Sequence, residues 1–409
     1  MERLNIENVR PGSAKERRRA LIAMLLFMLL CYVLIHDLLG GTLFAHCPWD
    51  SYTLQSLAWL EGRMDLDRDY SYLELAIYNG KYYVSFPPVP SVVMLPFAVV
   101  FGEQTPNNLI IMLVTMLCAA AAFSIASYSG FNAKNSALLA LSITFGSNVM
   151  WMSTSGGVWF MAQTLAMLFL LLATISAYKN KAVLAYALIA LAVGCRPFSA
   201  VAFLPAFIWF YGKKREAGMG RAKAALSQWK ALIPVIIIAA VMMWYNYARF
   251  DNPLEFGHNY LPEFVESENG QFNLCYIFDN IARILRPVKL KEGLRLDYPY
   301  FDGFMFFIAN PFFLLLFAAN LRNIIKRSFS SVRLGLALAM LIMLICLCMH
   351  KTFGGWQFGA RYTCDMLPPA LIYVCLSDKK ELKFWEKAAA VFGMAFNIYG
   401  ALAMTFLYS

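Results

Sequence analysis

The chain has 409 residues, 60% of them hydrophobic and 15% charged, with a formal net charge of +10. A soluble domain is nearer about 45–50% apolar and about 25% charged, so the balance excludes an ordinary soluble enzyme or binding module. Apolar runs of about 15–20 residues between short polar pieces indicate a polytopic helical membrane protein, because backbone polar groups in lipid must be satisfied within the segment itself. A transmembrane barrel would need short alternating segments, and these runs do not alternate. Most of the Lys and Arg fall in short loops between the runs, which is the positive-inside pattern rather than a nucleic-acid footprint.

Arg3, Arg10, Lys15, Arg17, Arg18 and Arg19 hold residues 1–19 in the cytoplasm and send the first span, about 20–41, outward. No small-residue cleavage site follows it, so it reads as a retained span. The first extracytoplasmic loop, 42–105, opens with Pro48-Trp49-Asp50 and an interfacial helix from Asp50 to Trp59. Asp65, Asp67 and Asp69 read as a solvated turn, since they lack the glycine and terminal glutamate of a calcium loop. Asn79-Gly80 between β-prone runs predicts a small hairpin, because a type I′ turn needs positive φ twice. Val89–Phe101 is apolar but too short for a core of about 30 Å, and it reads as a juxtamembrane helix.

The later spans run Pro106–Tyr128, Ser136–Met152, Trp159–Tyr178, Ala182–Cys195, Phe198–Tyr211 and Ala231–Ala248. A second polar segment, 249–302, comes next, then Phe304–Asn320, Leu334–His350, Tyr362–Leu376 and Ala388–Tyr408. The expectation is one all-α membrane domain, 1–409, of about eleven spans. Six of the nine cysteines lie in apolar runs; of the other three, Cys47, Cys275 and Cys364, the first two form a candidate disulfide. No cofactor is expected; a divalent cation is the alternative, and no residue pattern supports it. His36, His46 and His350 show no metal-ligand spacing, and there is no CxxC pair.

Several polar residues carry both a structural and a chemical reading. Asp50 is an N-cap candidate and equally a carboxylate placed to act as general base. Glu74 is a surface strand residue or a second acid of the site. Arg196 and Arg361 each flank an apolar run, where an ionisable side chain is costly; they either snorkel to the surface or bind a phosphate bidentately. Lys81 pairs with acids or with a lipid phosphate, and His258 is structural or a phosphate partner. Gln163 reads as packing.

Asp50 soon after the first span, the Leu57-Ala58-Trp59-Leu60-Glu61-Gly62-Arg63 helix end, and Gly80-Lys81-Tyr82-Tyr83 running into Phe86-Pro87-Pro88 together resemble the GT-C glycosyltransferases. The likeness is to the branch of protein mannosyltransferases and aminoarabinose transferases. Asn246-Tyr247-Ala248-Arg249-Phe250-Asp251-Asn252-Pro253 and Gly359-Ala360-Arg361-Tyr362 are similar to later segments of that family. The resemblance implies a GT-C-like bundle and a polyprenyl-phosphate-linked sugar donor. It also implies inversion at the anomeric carbon and a lipid, glycan or protein acceptor. The family's first-loop aspartate maps onto Asp50. A second acid is common in its next outward loop, but Ser153–Val158 has none, which makes Glu74 the substitute candidate. Arg361 and Arg196, with Lys81 or His258, would then hold the donor phosphate. The expected setting is a bacterial inner membrane with the site outside. A transporter or flippase for a lipid-linked sugar, which would show an inverted repeat, and a catalytically degenerate scaffold are the alternatives.

Overall fold

The computed structural model describes residues 12–291, 296–328 and 330–406. Helix α1 (Ala14–Leu38) is capped by Ser13, whose hydroxyl accepts from the Glu16 amide. The loop after it carries α2 (Ser51–Leu60), β1 (Leu75–Tyr78), β2 (Lys81–Val84) and α3 (Val89–Phe101). Strands β1 and β2 pair antiparallel, Leu75 opposite Val84 and Tyr78 opposite Lys81. Asn79 and Gly80 between them take φ of 52° and 73°, the positive values that a two-residue hairpin turn demands.

The chain continues through α4 (Asn107–Tyr128), α5 (Ala133–Ile143), α6 (Val149–Met152), α7 (Val158–Tyr178), α8 (Ala182–Val193), α9 (Phe203–Glu216), α10 (Arg221–Leu226) and α11 (Trp229–Phe250). The second polar segment holds α12 (Pro262–Val265), α13 (Ile277–Ile284), β3 (Lys289–Leu290) and β4 (Leu296–Asp297). Helices α14 (Phe306–Ala309), α15 (Phe312–Ile325), α16 (Ser331–Cys348), α17 (Leu367–Cys375) and α18 (Phe384–Phe406) follow.

Among the described residues six helical stretches are long and apolar enough to cross a membrane: α1, α4, α7, α10 with α11, α16 and α18. The apolar windows of α4 and α7 are 67% and 72% buried, against 28% for α1, so α4 and α7 form the centre and α1 faces outward. The outward apolar faces fit an integral membrane protein, in which lipid replaces water as the solvent of the surface.

Several of the other expected spans are interrupted. The run Ser136–Met152 breaks between α5 and α6, and Phe304–Asn320 breaks at Asn310-Pro311. Phe198–Tyr211 and Tyr362–Leu376 open as tight turns, Pro197–Ala202 and Arg361–Met366, before α9 and α17. Non-helical backbone in a membrane protein is tolerated where protein buries it or a cavity lies beside it, and three of these breaks satisfy one another. The Asn148 backbone N–H donates to Asn310 Oδ1 (2.8 Å) and its side-chain amide to the Phe358 carbonyl (2.7 Å). Asn310 in turn donates to Thr363 Oγ1 (3.0 Å). Gly359 passes so close that a Cβ there would lie 2.2 Å from Asn148 Nδ2, and its φ is +77°, so only glycine fits.

The two long polar segments interlock at this end of the bundle. Arg249, at the end of α11, donates to the Val84 carbonyl of β2 (2.8 Å). Asn280 of α13 donates to the Cys348 and His350 carbonyls, capping α16 (2.9 and 2.8 Å). Cys47 is buried with its thiol 3.2 Å from Ser155 Oγ, while Cys275 is exposed ahead of α13. Both thiols are free, so the candidate disulfide is not formed: the two segments are joined by hydrogen bonds instead.

Candidate active site

Asp50 opens α2. Its Oδ1 accepts from the Tyr52 and Thr53 amides (3.0 and 3.3 Å), and its Oδ2 accepts from the Thr53 hydroxyl and the Asn107 side-chain amide, the latter at 2.8 Å. The carboxylate is fully buried. Burial pushes its pKa up, and the Thr53 hydroxyl and then the Asn107 amide act against that shift. Four donors make Asp50 the cap of α2 and the link from α2 to the start of α4. It does not line the nearby cavity; its neighbour Trp49 does.

That cavity has a volume of about 1090 Å³ and lies among the interlocked segments. Glu74, Arg196, His258 and Arg361 all line it, although they come from four separate parts of the chain. Arg361 is 5% exposed. Its backbone N–H donates to Gln357 Oε1 (2.6 Å) and its Nε to the Gly354 carbonyl (3.0 Å). Arg196 donates from Nη2 to Asp365 Oδ2 at 2.7 Å. The two guanidinium carbons lie 4.8 and 5.2 Å from the centre of the same ring, Tyr362. Arg361 Nη1 and Arg196 Nε find no hydrogen-bond partner among the described residues. One carboxylate beside two guanidinium groups leaves that wall with net positive charge, and planar, forked donors match phosphate.

Glu74 faces the same cavity with a different balance. Its Oε2 accepts one hydrogen bond, from Trp159 Nε1 (2.9 Å). Glu74 is an exposed residue that lines the cavity, and the protein crowded around its carboxyl pushes its pKa up, opposed by the Trp159 bond. Glu255 and Glu263 also line the cavity. Glu255 is occupied by the Gly257 amide and the Asn259 side chain, both at 2.6 Å.

His258 pairs its Nδ1 with the Ser85 carbonyl (2.6 Å). A carbonyl only accepts, so Nδ1 carries the proton and Nε2 of the neutral ring is an acceptor. Burial lowers the pKa of this histidine, which makes it a poor partner for an anion. His350 is held alike, Nδ1 on the Thr352 carbonyl (2.6 Å), with burial pushing its pKa down to about 3. Lys81 stays outside the cavity, exposed at the start of β2 and paired with Asp65 at 3.1 Å. Its place is explained by the hairpin turn, which aims residue 81 at the acidic turn. Among the described residues no cluster of His, Cys, Asp or Glu is suited to a metal ion.

Sequence reasoning missed Asp365 and Trp159 and read Gln163 as packing. Asp365 lies four positions after Arg361, but its ion-pair partner is Arg196, 169 positions away, which no local spacing signals. Gln163 donates to both the Arg361 carbonyl (2.9 Å) and Asp365 Oδ1 (2.6 Å), a role no local pattern announces.

No family profile matches the sequence, and no curated protein matches it. Solved structures do. ArnT from Cupriavidus metallidurans bound to undecaprenyl phosphate superposes with a TM-score of 0.54 at 13% identity, over 91% of this chain and 62% of ArnT. The oligosaccharyltransferase AglB from Archaeoglobus fulgidus, in complex with an inhibitory peptide and a dolichol-phosphate, gives a TM-score of 0.50 at 14% identity, over 94% and 55%. The chain thus spans less than two thirds of either protein. At such identities the likeness establishes the fold alone: the chain shares the helical membrane architecture of these two proteins.

Proposed function

We propose that this chain is an integral-membrane glycosyltransferase that takes a sugar from a polyprenyl-phosphate-linked donor and passes it to an acceptor hydroxyl at the extracytoplasmic face. The observation that carries the reading is the pair Arg196 and Arg361: two cations around one tyrosine ring, in a cavity that also holds the lightly bonded carboxylate of Glu74. Two proteins sharing the fold bind polyprenyl phosphates, undecaprenyl phosphate in ArnT and dolichol-phosphate in AglB. In this reading the basic loops at the opposite end lie in the cytoplasm, and the short apolar helices complete about eleven crossings.

The chemistry needs a phosphate held while its bond to sugar C1 breaks. The acceptor oxygen attacks C1, the C1–O bond breaks, and its electron pair leaves on the phosphate. Arg361 and Arg196 stabilise the negative charge that grows there. Glu74 takes the proton from the acceptor hydroxyl, a role for which a raised pKa is suited. A single displacement inverts the anomeric centre, whereas retention would require a nucleophilic carboxylate. Asp50, with four donors on its oxygens, fixes the Trp49 corner of the cavity rather than exchanging a proton. His258 offers Nε2 to a sugar hydroxyl. No cofactor enters this mechanism.

The test is to incubate the purified full chain, in lipid nanodiscs, with a panel of polyprenyl-phosphate sugars and membrane extract as acceptor. Release of free polyprenyl phosphate from at least one donor, absent in Arg361→Ala, is the expected result. A panel left untouched by the wild-type protein contradicts the proposal.

A further inference from the structure

Gln163 lies on α7 beside Phe160 and Ala162, which line the cavity, but its own side chain is 2% exposed and sits behind that wall. Its Nε2 donates to the carbonyl of Arg361 (2.9 Å) and to Oδ1 of Asp365 (2.6 Å). Oδ2 of the same aspartate accepts from Nη2 of Arg196 (2.7 Å). One amide therefore stands between the two arginines. It grips the backbone of one and the carboxylate that orients the other.

Both partners are acceptors, so only the NH2 edge of the amide fits there. The cost of that orientation is visible at the other edge, where Oε1 is buried and meets no donor among the described residues. An apolar side chain of the same length would fill the space without stranding an oxygen, so packing alone does not account for an amide at this position. Arg361 is clamped from the other flank by Gln357, whose Oε1 accepts from the Arg361 N–H (2.6 Å) and whose Nε2 donates to the Phe353 carbonyl (2.7 Å).

We infer that Gln163 is a positioning residue that sets the spacing and direction of Arg196 and Arg361 toward a lipid-linked phosphate. The inference rests on reading this cavity as the donor-phosphate site. Without the amide, Asp365 Oδ1 loses its donor, and the carboxylate, still held by Arg196 through Oδ2, is free to turn toward Arg361. Arg361 Nη1 has no partner among the described residues, so a freed Asp365 draws that cation away from the ligand. The pair would remain in the protein while its geometry for an anion is lost, because a bidentate contact depends on angle as much as on charge.

Binding of farnesyl phosphate, a short polyprenyl phosphate, to the full chain is measured by calorimetry, with melting temperature recorded in parallel. The proteins compared are wild type, Arg361→Ala, Gln163→Met and Gln163→Glu. Methionine keeps the volume and removes both hydrogen bonds. Glutamate keeps the shape and sets an acceptor against two acceptors. Kd is expected to rise about tenfold in Gln163→Met, equivalent to about 1.4 kcal/mol, and further in Gln163→Glu, with the Gln163→Met melting temperature close to that of wild type. Gln163→Asn, too short to reach both partners, gives the same reading where Gln163→Glu does not fold. If Arg361→Ala weakens binding and Gln163→Met does not, the positioning role is overturned while the phosphate site stands. If wild type does not bind, or Arg361→Ala binds as well as wild type, the phosphate site itself is overturned and the inference falls with it.

Discussion

Two carboxylates of the first loop, Asp50 and Glu74, show how environment rather than loop position decides what an acid does. Asp50 is fully buried and takes hydrogen bonds from two amides, a hydroxyl and an asparagine. Glu74 opens into the cavity and takes one, from Trp159. Burial pushes both pKa values up, but the donors around Asp50 commit its lone pairs to structure, whereas Glu74 keeps lone pairs free for a substrate proton. In the proposed mechanism this contrast gives Asp50 the role of shaping the site and Glu74 that of the base.

The largest expected effect lies across the cavity and sets the scale for both acids. Arg361→Ala should lower transfer by roughly a hundred- to a thousand-fold, as loss of a charge-stabilising donor does elsewhere, measured as polyprenyl phosphate released. Glu74→Gln should cost about a hundredfold or more through loss of the base, with thermal melting unchanged. Asp50→Ala should act in the opposite sense, lowering stability by about 1–3 kcal/mol through the lost cap and the unpaired Asn107, read in chemical unfolding. Asp50→Asn, which keeps one acceptor, should lower it less. An Asp50→Asn protein that unfolds like wild type but transfers nothing would reverse the assignment of the two acids.

A smaller effect is expected in the pH profile. The Trp159 bond favours the charged form of Glu74, so Trp159→Phe raises its pKa further. A base works deprotonated, so the acid limb of the rate profile should move to higher pH. The smallest effect belongs to Lys81→Ala, expected to leave transfer unchanged because the side chain points at Asp65 on the surface.

Much of this arrangement was legible in the sequence, and the illegible parts share a cause. Arg196 and Arg361 stood out because charge beside an apolar run is expensive, and the structure brings both to one cavity. Asn79-Gly80 announced its turn through backbone sterics alone. Asp50 was legible as a cap but not as a saturated one, since Asn107 reaches it from another helix. Gln163 read as packing because its partners, Arg361 and Asp365, lie far along the chain. The span count was the least legible feature. Breaks at Asn148, Asn310 and the turn starting at Arg361 come from polar groups that satisfy one another only after folding.

The division of labour between the arginine wall and Glu74 is tested most directly by measuring farnesyl phosphate binding and single-turnover sugar transfer on the same three proteins, wild type, Arg361→Ala and Glu74→Gln. The account predicts that Arg361→Ala loses affinity, while Glu74→Gln binds like wild type and turns over at least a hundredfold more slowly, a figure on the order expected for a missing base. Undiminished turnover in Glu74→Gln, or undiminished binding in Arg361→Ala, would contradict it.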